Sequence, residues 1–251
     1  MISKTKIGMI SFLLLLGLVT LFYFSMDLDK EINIKFVEVE GNRYLEKDTY
    51  MSFARLNNEN ALEGITLGMI KDRFEKHPYI KYVDVIYEGN GKVNVTLYER
   101  NFREIVISDG NEYLVDENLS ISPLLSFTKN IDLPIIIGID KIKNKAGRKS
   151  IKLAAQLLDA AELSDPQFAA DIAEIELASK GNVIIRFLYN DFELRLGNED
   201  LIYKTAAFGS FYSKLNADQN VKQLEYIDMR FENQLCLGFE TEIPSNGEGR
   251  S

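Results

Sequence analysis

One histidine and one cysteine occur in 251 residues, and each scarcity removes a class of chemistry. The lone Cys236 cannot close an intramolecular disulfide. Set between Leu235 and Leu237, with nothing nearby in sequence to lower its pKa, it reads as a structural sulfhydryl rather than a nucleophile. A zinc site needs three or four His, Cys or carboxylate ligands at characteristic spacing, which His77 and Cys236, far apart in the chain, do not approach. No G-x-S-x-G elbow and no Walker sequence is present. Basic residues are sparse as well: 29 Lys and Arg face 38 Asp and Glu, for a formal net charge of −9, and no long basic run offsets it. Such a chain is repelled by phosphate backbones, so nucleic acid is not an expected partner.

His77 precedes Pro78 at a predicted helix end. There it reads as a helix-terminal hydrogen-bonding residue, since a general base would need a nucleophile or carboxylate partner that the sequence does not place beside it. Carboxylates are plentiful but scattered on alternating strand positions, and a carboxylate-pair hydrolase would require two of them to converge. Neither a cofactor nor a small-molecule substrate is expected.

What the chain does have is one long apolar run. Residues 7–26, IGMISFLLLLGLVTLFYFSM, carry no charge, and at about 1.5 Å per helical residue such a run can cross roughly 30 Å of hydrocarbon. Only Lys4 and Lys6 among the basic residues precede it, while Asp27, Asp29 and Glu31 follow with Lys30. The positive-inside bias then predicts a cytoplasmic tail over 1–6, a transmembrane helix over 7–26, and the bulk of the chain outside the cytoplasm. A cleaved signal peptide is the rival reading, but the run ends in Phe22, Tyr23 and Phe24 without an A-x-A pattern.

Residues 32–99 read as a compact βααββ unit. Val37 and Val39 alternate with Glu38 and Glu40 and stop at Gly41-Asn42, as a strand and turn would. Helical segments are predicted over 48–56 and 67–76, the second with Leu67, Ile70 and Phe74 at helical spacing behind Thr66 and ended by Pro78. A hairpin follows, with Val83, Val85 and Tyr87 on one arm and Val93, Val95 and Leu97 on the other. Gly89-Asn90-Gly91 supplies its turn; a phosphate-binding loop would instead open a helix.

Residues 102–243 read as a second, larger α+β region. Strands are predicted over 102–107, 112–115, 174–178, 183–188, 192–196, 224–230 and 234–240, with a further apolar run from Leu133-Pro134 to Gly138. One helix spans 149–163 and stops before Pro166. Another follows Gly197-Asn198 with Leu201, Thr205, Phe208, Tyr212 and Leu215 on one face. The fold class expected is thus α+β with a mostly antiparallel sheet, and residues 244–251 form a polar tail.

Four segments carry a likeness to a known family. They are FVEVEGN at 36–42, HPYIKYVDVIYEGNGKVNVTLYER at 77–100, the pair YLVDENLSI at 113–121 and DLPIIIG at 132–138, and IDMRFENQLCLGF at 227–239. In this order behind one apolar anchor, the chain resembles the bacterial cell-division family FtsQ/DivIB. The resemblance implies a POTRA domain over 32–100, an FtsQ-type β domain over 101–243, a septal location in the cytoplasmic membrane, and no enzymatic activity. It also implies a scaffold that binds FtsB/FtsL-like membrane partners through the last strand, at Arg230, Phe231, Asn233, Gln234, Gly238 and Phe239. Phe231 and Phe239 would be apolar anchors, or else plain core; Arg230 would be a charge-assisted donor, and Gly238 a point of close backbone approach. A second surface is expected on the outer POTRA strand, at Lys92, Asn94, Thr96 and Tyr98. The alternatives are a POTRA-containing envelope assembly or transport factor and a cell-wall hydrolase.

Overall fold

The computed structural model describes residues 12–22, 33–178, 181–216, 223–231 and 234–239. Residues 12–22 form helix α1, exposed along its length. At about 1.5 Å per residue that stretch reaches only about half of the roughly 30 Å needed. Among the described residues no helix is long and apolar enough to cross a membrane. The predicted span over 7–26 is therefore represented by its middle alone, and residues 7–11 and 23–26, like the predicted tails 1–6 and 244–251, lie outside the described residues.

The chain divides into two compact units, the first comprising Met1–Gly41, Lys47–His77 and Tyr82–Leu97. Its elements run β1 (Phe36–Glu40), α2 (Lys47–Phe53), a 3-10 turn (Glu59–Leu62), α3 (Leu67–Glu75), β2 (Ile80–Gly89) and β3 (Lys92–Glu99). The predicted βααββ order is present. Thr66 caps α3, its hydroxyl accepting from the Met69 N–H at 3.2 Å. The sheet order is β1-β3-β2, with β3 central and parallel to β1 in the register Phe36 to Lys92 through Glu40 to Thr96. Gly41 ends β1 at φ +81°, and a Cβ there would overlap the Leu97 carbonyl, so both conformation and space require glycine. Tyr50, Ile70, Phe74, Val83, Val93 and Val95 are fully buried.

His77 is buried here too. Its backbone N–H donates to Phe74 O at 2.9 Å, closing α3. Its ring packs edge-on against Tyr50 and Phe53, with centroids 4.7 and 4.6 Å away. Burial pulls the imidazole down to about 4, so the ring is neutral at physiological pH. The helix-end role predicted for His77 is played by its backbone, while its side chain serves in packing.

The second unit comprises Asn42–Glu46, Pro78–Lys81 and Tyr98–Ser251. Its elements are β4 (Phe102–Ser108), β5 (Asn111–Asp116), β6 (Ile121–Pro123), β7 (Ile135–Ile137), α4 (Lys145–Ser164), α5 (Pro166–Asp171), β8 (Ile172–Leu177), β9 (Val183–Phe187), β10 (Glu193–Gly197), α6 (Leu201–Asn216), β11 (Leu224–Asp228) and β12 (Cys236–Phe239). They build a nine-stranded sheet in the order β12-β11-β10-β9-β8-β7-β4-β5-β6.

The expectation of a mostly antiparallel sheet is corrected: the sheet is mixed. β7 runs parallel to both β4 and β8, and β10 runs parallel to β11. The connections explain this. α4 and α5 carry the chain from β7 to β8, and α6 carries it from β10 to β11, and a helical crossover returns the chain in its original direction. One continuous core, including Val106, Ile136, Ile151, Leu157, Phe168, Ile175, Ile185, Phe208, Tyr212 and Ile227, joins the helices to one face of the sheet. The hydroxyl of buried Tyr212 donates to buried Asp171 at 3.0 Å, and the Gln167 amide donates to the same carboxylate at 2.8 Å, so this buried carboxylate is paired.

Candidate partner-binding edge

β12 forms one end of the nine-stranded sheet. On its inner side it pairs antiparallel with β11, in the register Leu224 to Phe239, Tyr226 to Gly238, Ile227 to Leu237 and Asp228 to Cys236. Among the described residues no strand pairs with its outer side. Residues opposite one another across a ladder share a face. Leu237 and Phe239 therefore lie on the same face as Ile227 and Leu224, which are buried in the core. Yet Leu237 is 46% and Phe239 50% exposed. The core face of the sheet thus extends one strand beyond what the helices cover. Phe231 and Leu235, just before β12, are likewise exposed. The reading of Phe231 and Phe239 as plain core finds no support in these exposures.

The opposite face of the same strands is charged. Arg186 on β9 bridges Glu174 and Glu176 on β8 and reaches Glu193 on β10. Arg195 on β10 holds Glu193 at 2.6 Å and lays its guanidinium 3.9 Å from the Tyr226 ring centroid on β11. Tyr226 in turn occupies the space over Gly238, where any Cβ would overlap its ring. The close approach predicted at Gly238 is therefore made inside the molecule, by Tyr226, which fixes β12 against β11 by filling the gap that glycine leaves.

Arg230 is also committed internally. Its Nε and Nη2 donate to the Asp228 carboxylate at 3.0 and 2.6 Å, and its backbone N–H donates to Asp228 Oδ1 at 2.9 Å. Asp228 is buried, and these Arg230 hydrogen bonds, acting against burial, hold its carboxyl below the usual carboxylate range. Arg230 accordingly serves first to neutralise Asp228 at the end of β11, while its outer surface stays exposed. Gln234 is exposed and turns back to Phe231, its N–H donating to Phe231 O at 3.4 Å. Asn233 lies outside the described residues. Cys236, expected to be a structural sulfhydryl, is exposed on β12.

The second predicted surface is corrected in one respect. β3 is the central strand of its sheet, with both backbone edges paired, and the outer strands are β1 and β2. Lys92, Asn94, Thr96 and Tyr98 alternate with buried Val93, Val95 and Leu97, so they present a side-chain face and not a strand edge. Lys92 bridges Glu38 on β1 and Glu88 on β2, each at 2.9 Å, which raises its pKa and lowers that of Glu38.

Leu235, Leu237 and Tyr226 were not singled out from sequence. The Leu-x-Leu-x-Phe alternation at 235–239 was a visible signal for the two leucines. Nothing in the sequence paired Tyr226 with Gly238.

Two family models match the chain: "POTRA domain, FtsQ-type" over residues 32–100 and "Cell division protein FtsQ/DivIB, C-terminal" over residues 105–230, the latter half of the chain. Among curated proteins, the cell division protein DivIB of Clostridium acetobutylicum is 29% identical over 116 residues, 46% of this chain and 45% of that protein. DivIB of Clostridium tetani is 24% identical over 178 residues, 67% of this chain and 64% of that protein. The cell division protein FtsQ of Rhodothermus marinus is 24% identical over 219 residues, 83% of this chain and 78% of its own. The match thus spans less than two thirds of either clostridial relative.

Proposed function

The chain belongs to the FtsQ/DivIB family of cell-division proteins, and we propose that it acts as a non-enzymatic scaffold at the division septum. In this reading residues 7–26 anchor it in the cytoplasmic membrane with the amino terminus inside, and the POTRA and β domains occupy 32–100 and 101–243. An extended segment of an FtsB/FtsL-like membrane partner completes the outer edge of β12.

The observation that carries this is the uncovered continuation of the core face at Leu237 and Phe239 on a strand whose outer side has no partner strand among the described residues. An incoming strand would take up the free backbone N–H and C=O groups, and its alternate side chains would cover the two apolar residues. Phe231 and Leu235 add exposed apolar surface next to the strand, and exposed Gln234 offers a polar contact; Asn233, outside the described residues, is a proposed contact from the family resemblance. Lys92, Asn94, Thr96 and Tyr98 form a second contact face for other division components.

The test is co-purification of the FtsB/FtsL-like pair with the full chain carrying Phe239→Glu or Leu237→Glu. A charge placed in a buried apolar anchor should weaken binding by about thirtyfold or more. The stability of the variants should stay within about 0.5 kcal/mol of the parent, because both positions are half exposed. Undiminished co-purification would remove this edge as the binding site.

A further inference from the structure

Among the described residues, Glu104 is the one carboxyl group whose two oxygens are both shut off from solvent and both without a hydrogen-bond partner. The residue is 1% exposed. It sits on β4 opposite Val115 of β5, where the register shifts between Phe102 and Glu104, and such a bulge re-aims side chains. It lines a cavity of about 180 Å³ together with Arg103, Asp116, Glu117, Lys152 and Asp159.

Every other carboxylate of that lining has a cation. Asp159 holds Arg103 at 2.6 Å, Asp116 holds Arg100 at 2.9 Å, and Glu117 holds Lys81 at 3.1 Å. Lys152 lines the cavity too but makes no hydrogen bond to Glu104. Of these carboxyl groups, Glu104 alone has no ion pair. Burial pushes its carboxyl up to about 7, with Arg103 drawing it down and Asp159 adding to the rise. An ionised carboxylate in such a place is costly until a cation meets it. The cavity, at about 30 Å³ of liquid volume per water, has room for about six waters, or for an ammonium group and several methylenes.

We propose that this cavity binds a compact cation, the primary ammonium group of a small amine or of a lysine side chain, with Glu104 as its counter-ion. The ammonium donates to the two carboxylate oxygens that have no partner. Binding requires Glu104 to be ionised, so proton and amine compete for one group, and affinity rises with pH.

The experiment is carboxyl-carbon NMR of the full chain in detergent micelles, labelled at glutamate and titrated with butylammonium at pH 6 and pH 8. One resonance, absent in Glu104→Gln, should move saturably, with affinity about tenfold higher at pH 8. A parallel titration uses a blocked Gly-Lys-Gly peptide and its acetyl-lysine counterpart. Binding of the lysine peptide and not the acetylated one assigns the group to a protein chain, and binding of butylammonium alone assigns it to a free amine. Binding of neither, or binding that persists in Glu104→Gln, overturns the proposal. It also falls if Glu104 titrates near 4.5 and rises only in Lys152→Met, since the chain's own lysine would then fill the site.

Discussion

At the scale of single residues, two buried titratable groups give stability opposite dependences on pH. The imidazole of His77, ordinarily near 6.5, titrates at about 4 when folded. Between those values the unfolded chain binds a proton that the folded ring refuses, so stability falls as pH drops from 6.5 towards 4. Glu104, ordinarily near 4.5, titrates at about 7 when folded. Here the folded chain keeps a proton that the unfolded one releases, and stability falls as pH rises through that window. The two slopes partly cancel between pH 4.5 and 6.5. Denaturant midpoints measured across pH should separate them. Glu104→Gln is expected to abolish the loss on the alkaline side, at most about 3 kcal/mol. His77→Phe is expected to abolish the loss on the acid side, about 2 kcal/mol. His77 could be placed at a helix end from the Pro78 that follows it, but its burial depended on Tyr50 and Phe53, which only the folded unit brings against it.

At the scale of elements, most helices and strands were legible because hydrophobic period and turn chemistry are local. The helix predicted over 149–163 begins earlier, as α4 at Lys145, since Asn144 caps it by accepting from the Gly147 N–H at 2.7 Å. A stop before Pro166 was correctly expected, but α5 starts at that same proline, whose missing N–H costs nothing at a first helical position. Asp165 caps α5, accepting from Gln167 and Phe168 N–H groups at 2.9 and 3.3 Å. Replacing Asp165 with Ala should destabilise the second unit by about 1 kcal/mol in a denaturant titration. β12 depends on a different kind of contact. In Gly238→Val the new side chain meets the Tyr226 ring, and amide exchange of β12 should accelerate while that of β8 and β9 stays slow. The three residues of β6 escaped notice because so short a segment has no period of its own; pairing with β5 makes it a strand.

At the scale of the whole molecule, the acidic surplus argues against one partner class directly. Fluorescence anisotropy with duplex DNA at 50 mM salt is expected to show no saturable binding, because no basic run supplies the counterion release on which such binding depends. The order βααββ, the α+β class and the acidic balance were set by the sequence itself, since each follows from periodicity, turn residues and charge within short windows. Three things came only from the tertiary structure. Helical crossovers decided that β7 and β10 run parallel to their neighbours β8 and β11. Sheet order decided that β3 is central and β12 an edge. Packing decided which side chains are covered, leaving Leu237 and Phe239 open while shutting Glu104 away. The reason is common to all three: strand neighbours and burial are relations between residues distant in the chain, and a local pattern carries the face a side chain takes but not what comes to lie against it.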